Sequence, residues 1–507
     1  MLRRLVRNYG TGRAYREALA IAARGRCTMA PRHARIERQP VINSKAQPCA
    51  AEVIRSTRGT SACPKRDKTW VLAAAVLGST MAFVDESVVN VALPTIEADL
   101  HTTLAAMQWV INAYTLCMSA LLLIGGAAAD RFGRRVIFLI GIVSFTLASI
   151  ACGFAPDIAA LIAARAIQGV AAALLIPCSL AIIGAAFDEQ ERGAAIGIWS
   201  GASALAAGAG PLLGGWLIDH LSWRAIFLIN PLIAIPTLWI AVRHLPESGD
   251  PAAHAGLDWR GAVLAFGGLG SLVYGLIAAA TLGWRDATVV GSLTAGALLL
   301  LWLVLEERRS RAPMMPLRLF DSRSFSGVNL LTLFLYGALG GAFFFLPFLL
   351  IQAHGFSATA AGAVYLPFTL VLAVLSRWSG GLVDRFGARR PLIIGPLIAA
   401  VGFALLALVS AEQRYWVYLG PMILLGFGMA ITVAPLTTTV INSVKEQETG
   451  VASGINNVVA AVASLLVIAV LGTLVADSAV ATARLVMSTA AALAFASAAA
   501  AALTIRI

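Results

Sequence analysis

Fourteen runs of mostly apolar residues, each long enough to cross the hydrocarbon core of a bilayer as a helix, follow one another between residues 70 and 505. Backbone N–H and C=O groups inside lipid must find partners within the chain, so runs of this length fold as helices rather than as open sheet or loop. A closed barrel would show short segments of alternating polarity, and the sequence has none. Composition agrees with the runs: 59% of the 507 residues are apolar and 13% are charged, against about a quarter charged in a soluble domain. The expected fold class is an all-α membrane protein.

One unit occurs twice. The segment Gly126-Ala-Ala-Ala-Asp130-Arg131-Phe-Gly133-Arg134-Arg135 closes one apolar run, and Gly380-Gly-Leu-Val-Asp384-Arg385-Phe-Gly387-Ala-Arg389-Arg390 closes another about 250 residues later. Eight spans lie between the two loops, an even number, so both loops fall on one side of the bilayer. A six-span repeat needs only six, which makes 261–282 and 288–305 a central insertion. The expected organisation is a basic leader (1–69), a six-helix bundle (70–243), two inserted helices with linkers (244–324) and a second six-helix bundle (325–507). Duplicated halves of this kind suit a carrier whose halves rock against each other. In each loop, glycine at the helix end permits close packing, and Asp130 or Asp384 is placed to pair with the arginines or with a helix N-terminus.

The net charge of +12 is not a nucleic-acid signal once it is located. Residues 1–69 hold 16 Lys and Arg against 4 Asp and Glu, and the 22 basic and 22 acidic residues that remain cancel. The Arg- and Ala-rich leader resembles a transit peptide or an amphipathic surface segment, but reads rather as a disordered cytoplasmic tail, or as sequence upstream of a start at Met29, and carries no functional expectation. With the N-terminus cytoplasmic, 17 of the 22 later basic residues face inward, and the outer loops keep Arg224, Arg285, Arg414 and Arg484. The positive-inside rule then places both termini in the cytoplasm. Cys27, Cys49 and Cys63 lie in the leader and Cys117, Cys152 and Cys178 lie singly in apolar runs, so neither a disulfide framework nor a metal site is indicated.

Ionisable residues within the spans cost about 2.5–3.5 kcal/mol each at mid-bilayer, so each one calls for a reason. There are three: Asp85, Glu86 and Arg165. A rise of 1.5 Å per residue puts Asp85 about 12 Å below the outer end of its helix and Arg165 about 10 Å below the same surface on an antiparallel helix. The two are level and suited to pair across a water-accessible vestibule. Burial and a neighbouring arginine pull a carboxyl's proton affinity in opposite directions, which fits Asp85 to exchange a proton while the non-titrating Arg165 sets the field. The competing reading is a static pair that holds the two helices together. Glu86 reads either as a second proton or substrate site or as a side chain that snorkels into an aqueous cavity. Asn90, Gln108, Asn112 and Gln168 fall in the outer half of their spans and are candidates to line that cavity, although such amides also serve as packing contacts between helices. No nucleophile and base pair, metal-ligand spacing or phosphate loop appears outside the leader, so the sequence suggests no enzyme, cofactor or metal.

Small residues crowd the fifth span, where Gly210, Pro211, Gly214 and Gly215 permit close helix approach and a bend. Taken together, these motifs resemble the major facilitator superfamily, and within it the fourteen-helix drug/proton antiporter branch. The likeness runs from Trp70 to the C-terminus. The two loops resemble the family's signature after helix 2 and its weaker echo; Arg165-Ala-Ile-Gln168-Gly169 resembles the helix 4 motif whose arginine is implicated in proton coupling. Gly210-Pro211-Leu-Leu-Gly214-Gly215 resembles the helix 5 antiporter motif. Asp85 with Val89-Asn90-Val-Ala-Leu-Pro94 resembles the helix 1 motif, and Trp223-Arg224-Ala-Ile-Phe-Leu-Ile-Asn230-Pro231 the start of helix 6. The resemblance implies proton-coupled efflux of small amphipathic compounds across the cytoplasmic membrane, with protons, lipid and a small-molecule substrate as partners. The alternative is export of one specific metabolite, passed to a periplasmic adaptor and an outer-membrane channel. The chain departs from the pattern at Glu86 and Ser87, where the family places a small residue and threonine, and in a short connection before the last helix.

Overall fold

The structure, a computed structural model, describes residues 67–248, 258–310, 313, 315–409, 414–445, 448–474 and 478–505, without the side chains of residues 189, 376, 377 and 384. The expectations for residues 1–66 of the leader and for the side chain of Asp384 fall outside these residues, while Lys68 and Thr69 already belong to the first helix. Among the described residues fourteen helices are long and apolar enough to cross a membrane. They are α1 (Lys68–Asp99), α2 (Leu104–Phe132), α3 (Arg134–Gly153), α4 (Ile158–Ala186), α5 (Glu189–His220), α6 (Ala225–His244), α7 (Trp259–Leu282) and α8 (Ala287–Arg309), followed by α9 (Arg323–Phe348), α10 (Ala358–Ala363 and Leu366–Ser379), α11 (Arg389–Ala407), α12 (Leu419–Asn442), α13 (Thr449–Leu471) and α14 (Ala479–Thr504).

Local chemistry starts many of these helices. Thr103, Asp157, Asp258, Asp286, Ser322, Ser357 and Ser478 each accept a backbone N–H from the first turn of the helix that follows. The tenth span, continuous in the sequence reading, is interrupted at Val364 and Tyr365 before Pro367. Proline has no N–H to continue the ladder and disfavours helical geometry in the residue before it.

The duplicated loops are matched by duplicated packing. Helix α1 packs against α5 and α6, α2 against α4, and α3 against α4 and α6; α9 packs against α13 and α14, α10 against α12, and α11 against α12 and α14. Every one of these pairings recurs eight helices later. The inserted α7 and α8 pack mainly on each other, and α7 rests on α2 and α13. The two sets of helices meet through α5 with α10, α2 with α13, and α1 with α9.

The face that carries Gly133 and Gly387 is called here the basic face. There Arg134 donates from Nε and Nη2 to Asp130 Oδ1 at 2.9 and 2.7 Å. Glu247 accepts the backbone N–H of Arg135 at 3.2 Å and so neutralises part of the α3 N-terminus. Gly133 has φ +100° and lies against the Glu247 carboxylate, so a side chain there would meet both backbone strain and a clash. The tight contact between α2 and α4 belongs to Gly125, which abuts the Ala173 backbone, rather than to Gly126, which has only Pro177 nearby. In the second loop Gly387 has φ +71°, and Arg389 donates to Ala502 O. Arg131, Arg385 and Arg390 are exposed.

Candidate functional site

Asp85 on α1 and Arg165 on α4 form an ion pair, Nη1 to Oδ2 at 2.5 Å, with relative exposures of 1% and 0%. Five helices enclose it. From α4, Gln168 donates to Asp85 Oδ1 at 2.7 Å and accepts from Arg165 Nη1 at 2.8 Å. From α6, Asn230 donates to Asp85 Oδ1 at 3.0 Å and to Ser149 Oγ of α3 at 2.8 Å. From α2, Val110 O accepts from Arg165 Nε, and the Tyr114 ring lies 4.3 Å from the guanidinium carbon. A buried guanidinium is tolerable only when its charge and its donors are met. Here the carboxylate meets the charge while an amide, a carbonyl and an aromatic face meet the rest.

The sequence reading placed this pair at the wall of a water-accessible vestibule, and that needs correction. The pair is sealed inside the first set of helices because Asp85 points toward α4 and α6. Its neighbour Glu86, about 100° further round α1, is the carboxylate that reaches open space. Glu86, Ser87 and Asn90 from α1 line a cavity of about 300 Å³ together with Gly208 and Pro211 of α5, Phe343 of α9, and Tyr365, Phe368 and Thr369 of α10. Both halves therefore contribute walls. This volume lies at the lower end of the range for small-molecule sites, about 300–1,000 Å³.

The four amides separate in the same way. Asn90 lines the cavity and donates to Glu86 O at 3.2 Å. Gln168 belongs to the ion cluster instead. Gln108 points away from the cavity and donates to Ile468 O of α13 at 2.5 Å, packed beside Gly472, so it is a contact between the halves. Asn112 is fully buried, and neither of its side-chain polar atoms has a partner among the described residues.

On the face opposite the basic one, the halves close against each other. Within the first half Gly210 and Gly214 of α5 bring it against Ser87 and Val88 of α1, and across the seam Gly215 brings it against the backbone of Ala358 and Thr359 of α10. Gly362 of α10 abuts the Pro211 carbonyl in return. Sequence reasoning missed the polar lock on this seam: Asp219 accepts the N–H groups of Ala358 and Thr359 at 3.0 and 2.8 Å and the Thr359 hydroxyl at 2.6 Å. Beside it Gln352 donates to Glu97 at 2.7 Å. Asn230 and Ser149 were also missed as site residues, being neutral, although Asn230 stood within the motif that opens α6.

Asp219→Ala is expected to weaken this seam by about 0.5–2 kcal/mol, the range for losing a helix cap. That corresponds to roughly two- to thirtyfold in the population opened at this face. Spin labels on exposed Phe154 and Trp416, one on each half at this face, should gain a longer-distance component; an unchanged distance distribution would count against the lock.

Comparisons with known proteins agree with this architecture. The family model described as Major Facilitator Superfamily matches residues 75–260 and 259–468. The chain is 34% identical to the tetracenomycin C resistance and export protein of Streptomyces glaucescens, over 82% of this chain and 78% of that one. It is 36% identical to the multidrug resistance protein Stp of Mycobacterium tuberculosis, over 81% and 76%. Among solved structures, a bacterial homologue of the human lysosomal transporter Spinster aligns with TM-score 0.63 at 17% identity, covering 87% of this chain and 97% of that one. A D-xylose-proton symporter aligns with TM-score 0.62 at 16% identity, covering 86% and 98%. A duplicated helical pairing pattern, family-model matches across both halves and relatives above 30% identity over most of the chain together place this multi-pass membrane protein in the major facilitator superfamily.

Proposed function

We propose that the chain exports small amphipathic compounds across the cytoplasmic membrane by alternating access, driven by protons that bind and leave Asp85. The observation that carries this reading is the sealed Asp85–Arg165 pair adjoining a cavity whose walls come from both halves. Protonating Asp85 neutralises the one carboxylate bonded to Arg165 among the described residues, leaving its charge facing Gln168, Asn230, Ser149, Cys152, Tyr114 and neighbouring Glu86. An uncompensated buried cation is a strained state, and repacking α1, α4 and α6 relieves the strain. Proton occupancy thereby biases the equilibrium between two arrangements of the bundles 70–243 and 325–507.

The positive-inside count makes the basic face cytoplasmic, and the cavity opens toward it. Gly193, Gly197 and Gly201 of α5 have no described atom within 4 Å of where a Cβ would sit, whereas Gly208, Gly210, Gly214 and Gly215 further along the same helix are tightly packed. The names of the relatives, which concern antibiotic resistance and export, support drug-like cargo.

A panel of structurally unrelated compounds, tested in proteoliposomes with and without an imposed pH gradient, is the direct test. Gradient-driven movement of several mutually competing compounds is expected. Transport of a single metabolite that the others do not compete with would favour the narrow exporter instead, and movement indifferent to the gradient would remove proton coupling.

A further inference from the structure

We propose that the central cavity selects organic cations with an aromatic or aliphatic body, and that Glu86 is the residue that reads the charge; this rests on the export reading and names its substrate class. Three observations carry it. First, among the described side chains Glu86 is the one acidic group lining the cavity, and no described Lys or Arg side chain lines it. The carboxyl is exposed to the lumen and has no ion-pair or hydrogen-bond partner among the described residues.

Second, the nearest interior cation is already committed. Arg165 is bonded to Asp85, so that pair is neutral as a unit and leaves the Glu86 carboxylate as the net charge of this part of the interior. An anionic ligand entering the cavity would meet this charge with no cationic lining side chain among the described residues to offset it, and a cation would be drawn to it. At an effective dielectric of about 20 and a separation of about 6 Å, the attraction is large enough to decide affinity.

Third, the other half supplies aromatic rings. Phe343 stands edge-on to Tyr365 at 5.1 Å and to Phe368 at 5.2 Å between ring centres. In each perpendicular pair the edge of one ring takes up a face of the other, so fewer faces are covered than by stacking, and ring faces attract cations. A carboxylate on α1 and rings on α9 and α10 therefore give a charged and an apolar pole, contributed by different halves. Such a ligand would bridge the two.

The test uses two probes of similar shape that differ in charge, tetraphenylphosphonium and neutral triphenylphosphine oxide, with the purified full chain. Binding of the cation should be tighter than that of the oxide and should fall about 10- to 100-fold in Glu86→Gln, with the oxide little changed. Glu86→Asp should retain most of the preference, and melting temperatures of both variants establish that the fold is kept. Equal binding of the cation to wild type and Glu86→Gln overturns the inference, as does failure of wild type to bind it or a preference for the oxide. Flux of the same probes in proteoliposomes separates this from the export reading: Glu86-dependent binding without flux sinks export alone, and flux without charge preference sinks the inference alone.

Discussion

Asp85→Asn is expected to abolish gradient-driven transport and to destabilise the protein by about 3–5 kcal/mol, the cost of leaving one member of a buried ion pair without the other. The amide keeps the shape of the carboxyl but cannot balance the charge of Arg165, which has no exposure to water. It also presents donors where Arg165, Gln168 and Asn230 already donate. Loss of transport alone does not separate a proton site from a static link between α1 and α4, because either would fail. Asp85→Asn combined with Arg165→Met separates them. Replacing a buried pair by uncharged groups of similar volume is often neutral for stability, so the double variant should melt near wild type. If Asp85 carries the proton, transport stays at background in the double variant. Recovery of gradient-driven transport along with stability would reduce the pair to a structural staple.

The meeting of Asp85 with Arg165 was legible in the sequence because helices crossing one slab share a ruler: the rise per residue fixes the depth of each side chain. Rotation about the helix axis has no such ruler. In a soluble helix the polar face points to water and sets the rotation, but helix α1 is apolar on nearly every side. Two adjacent carboxylates therefore gave no hint that Asp85 turns into the bundle while Glu86 faces the cavity. The same gap explains Gln108 and Asn112, whose depths were read without their directions. The packing role of the α5 glycines was readable from composition, because small residues admit close backbones, but the backbone faced by each was not. Asp219 was invisible for a different reason: its partners are the N–H groups of Ala358 and Thr359, and backbone donors leave no mark in a sequence.

Gly197→Trp is expected to leave ligand binding intact and to stop transport. Positions 193, 197, 201, 204, 208, 211 and 215 recur at steps of four and three and so share one face of α5. Along this face Gly215 is pressed on α10, Gly208 touches Thr369, Ala204 and Pro211 line the cavity, and Gly197 has no described atom within 4 Å of where its Cβ would sit. A side chain added at 197 starts from open space among the described residues in this arrangement. Alternating access requires the open end of the α5–α10 seam to close while its sealed end parts, and there the indole must be accommodated between two backbones. Overpacking of this kind costs about 3 kcal/mol or more, a population loss of about a hundredfold or more. Spin labels on Arg131 and Arg385, exposed in the two repeated loops, should therefore report only the separated distance whatever the pH gradient. Gly215→Leu should act in the opposite sense, because it opens the sealed end and lets the labelled loops approach. If both substitutions lengthen the distance, or if Gly197→Trp transports normally, α5 is not the element about which the halves exchange contacts.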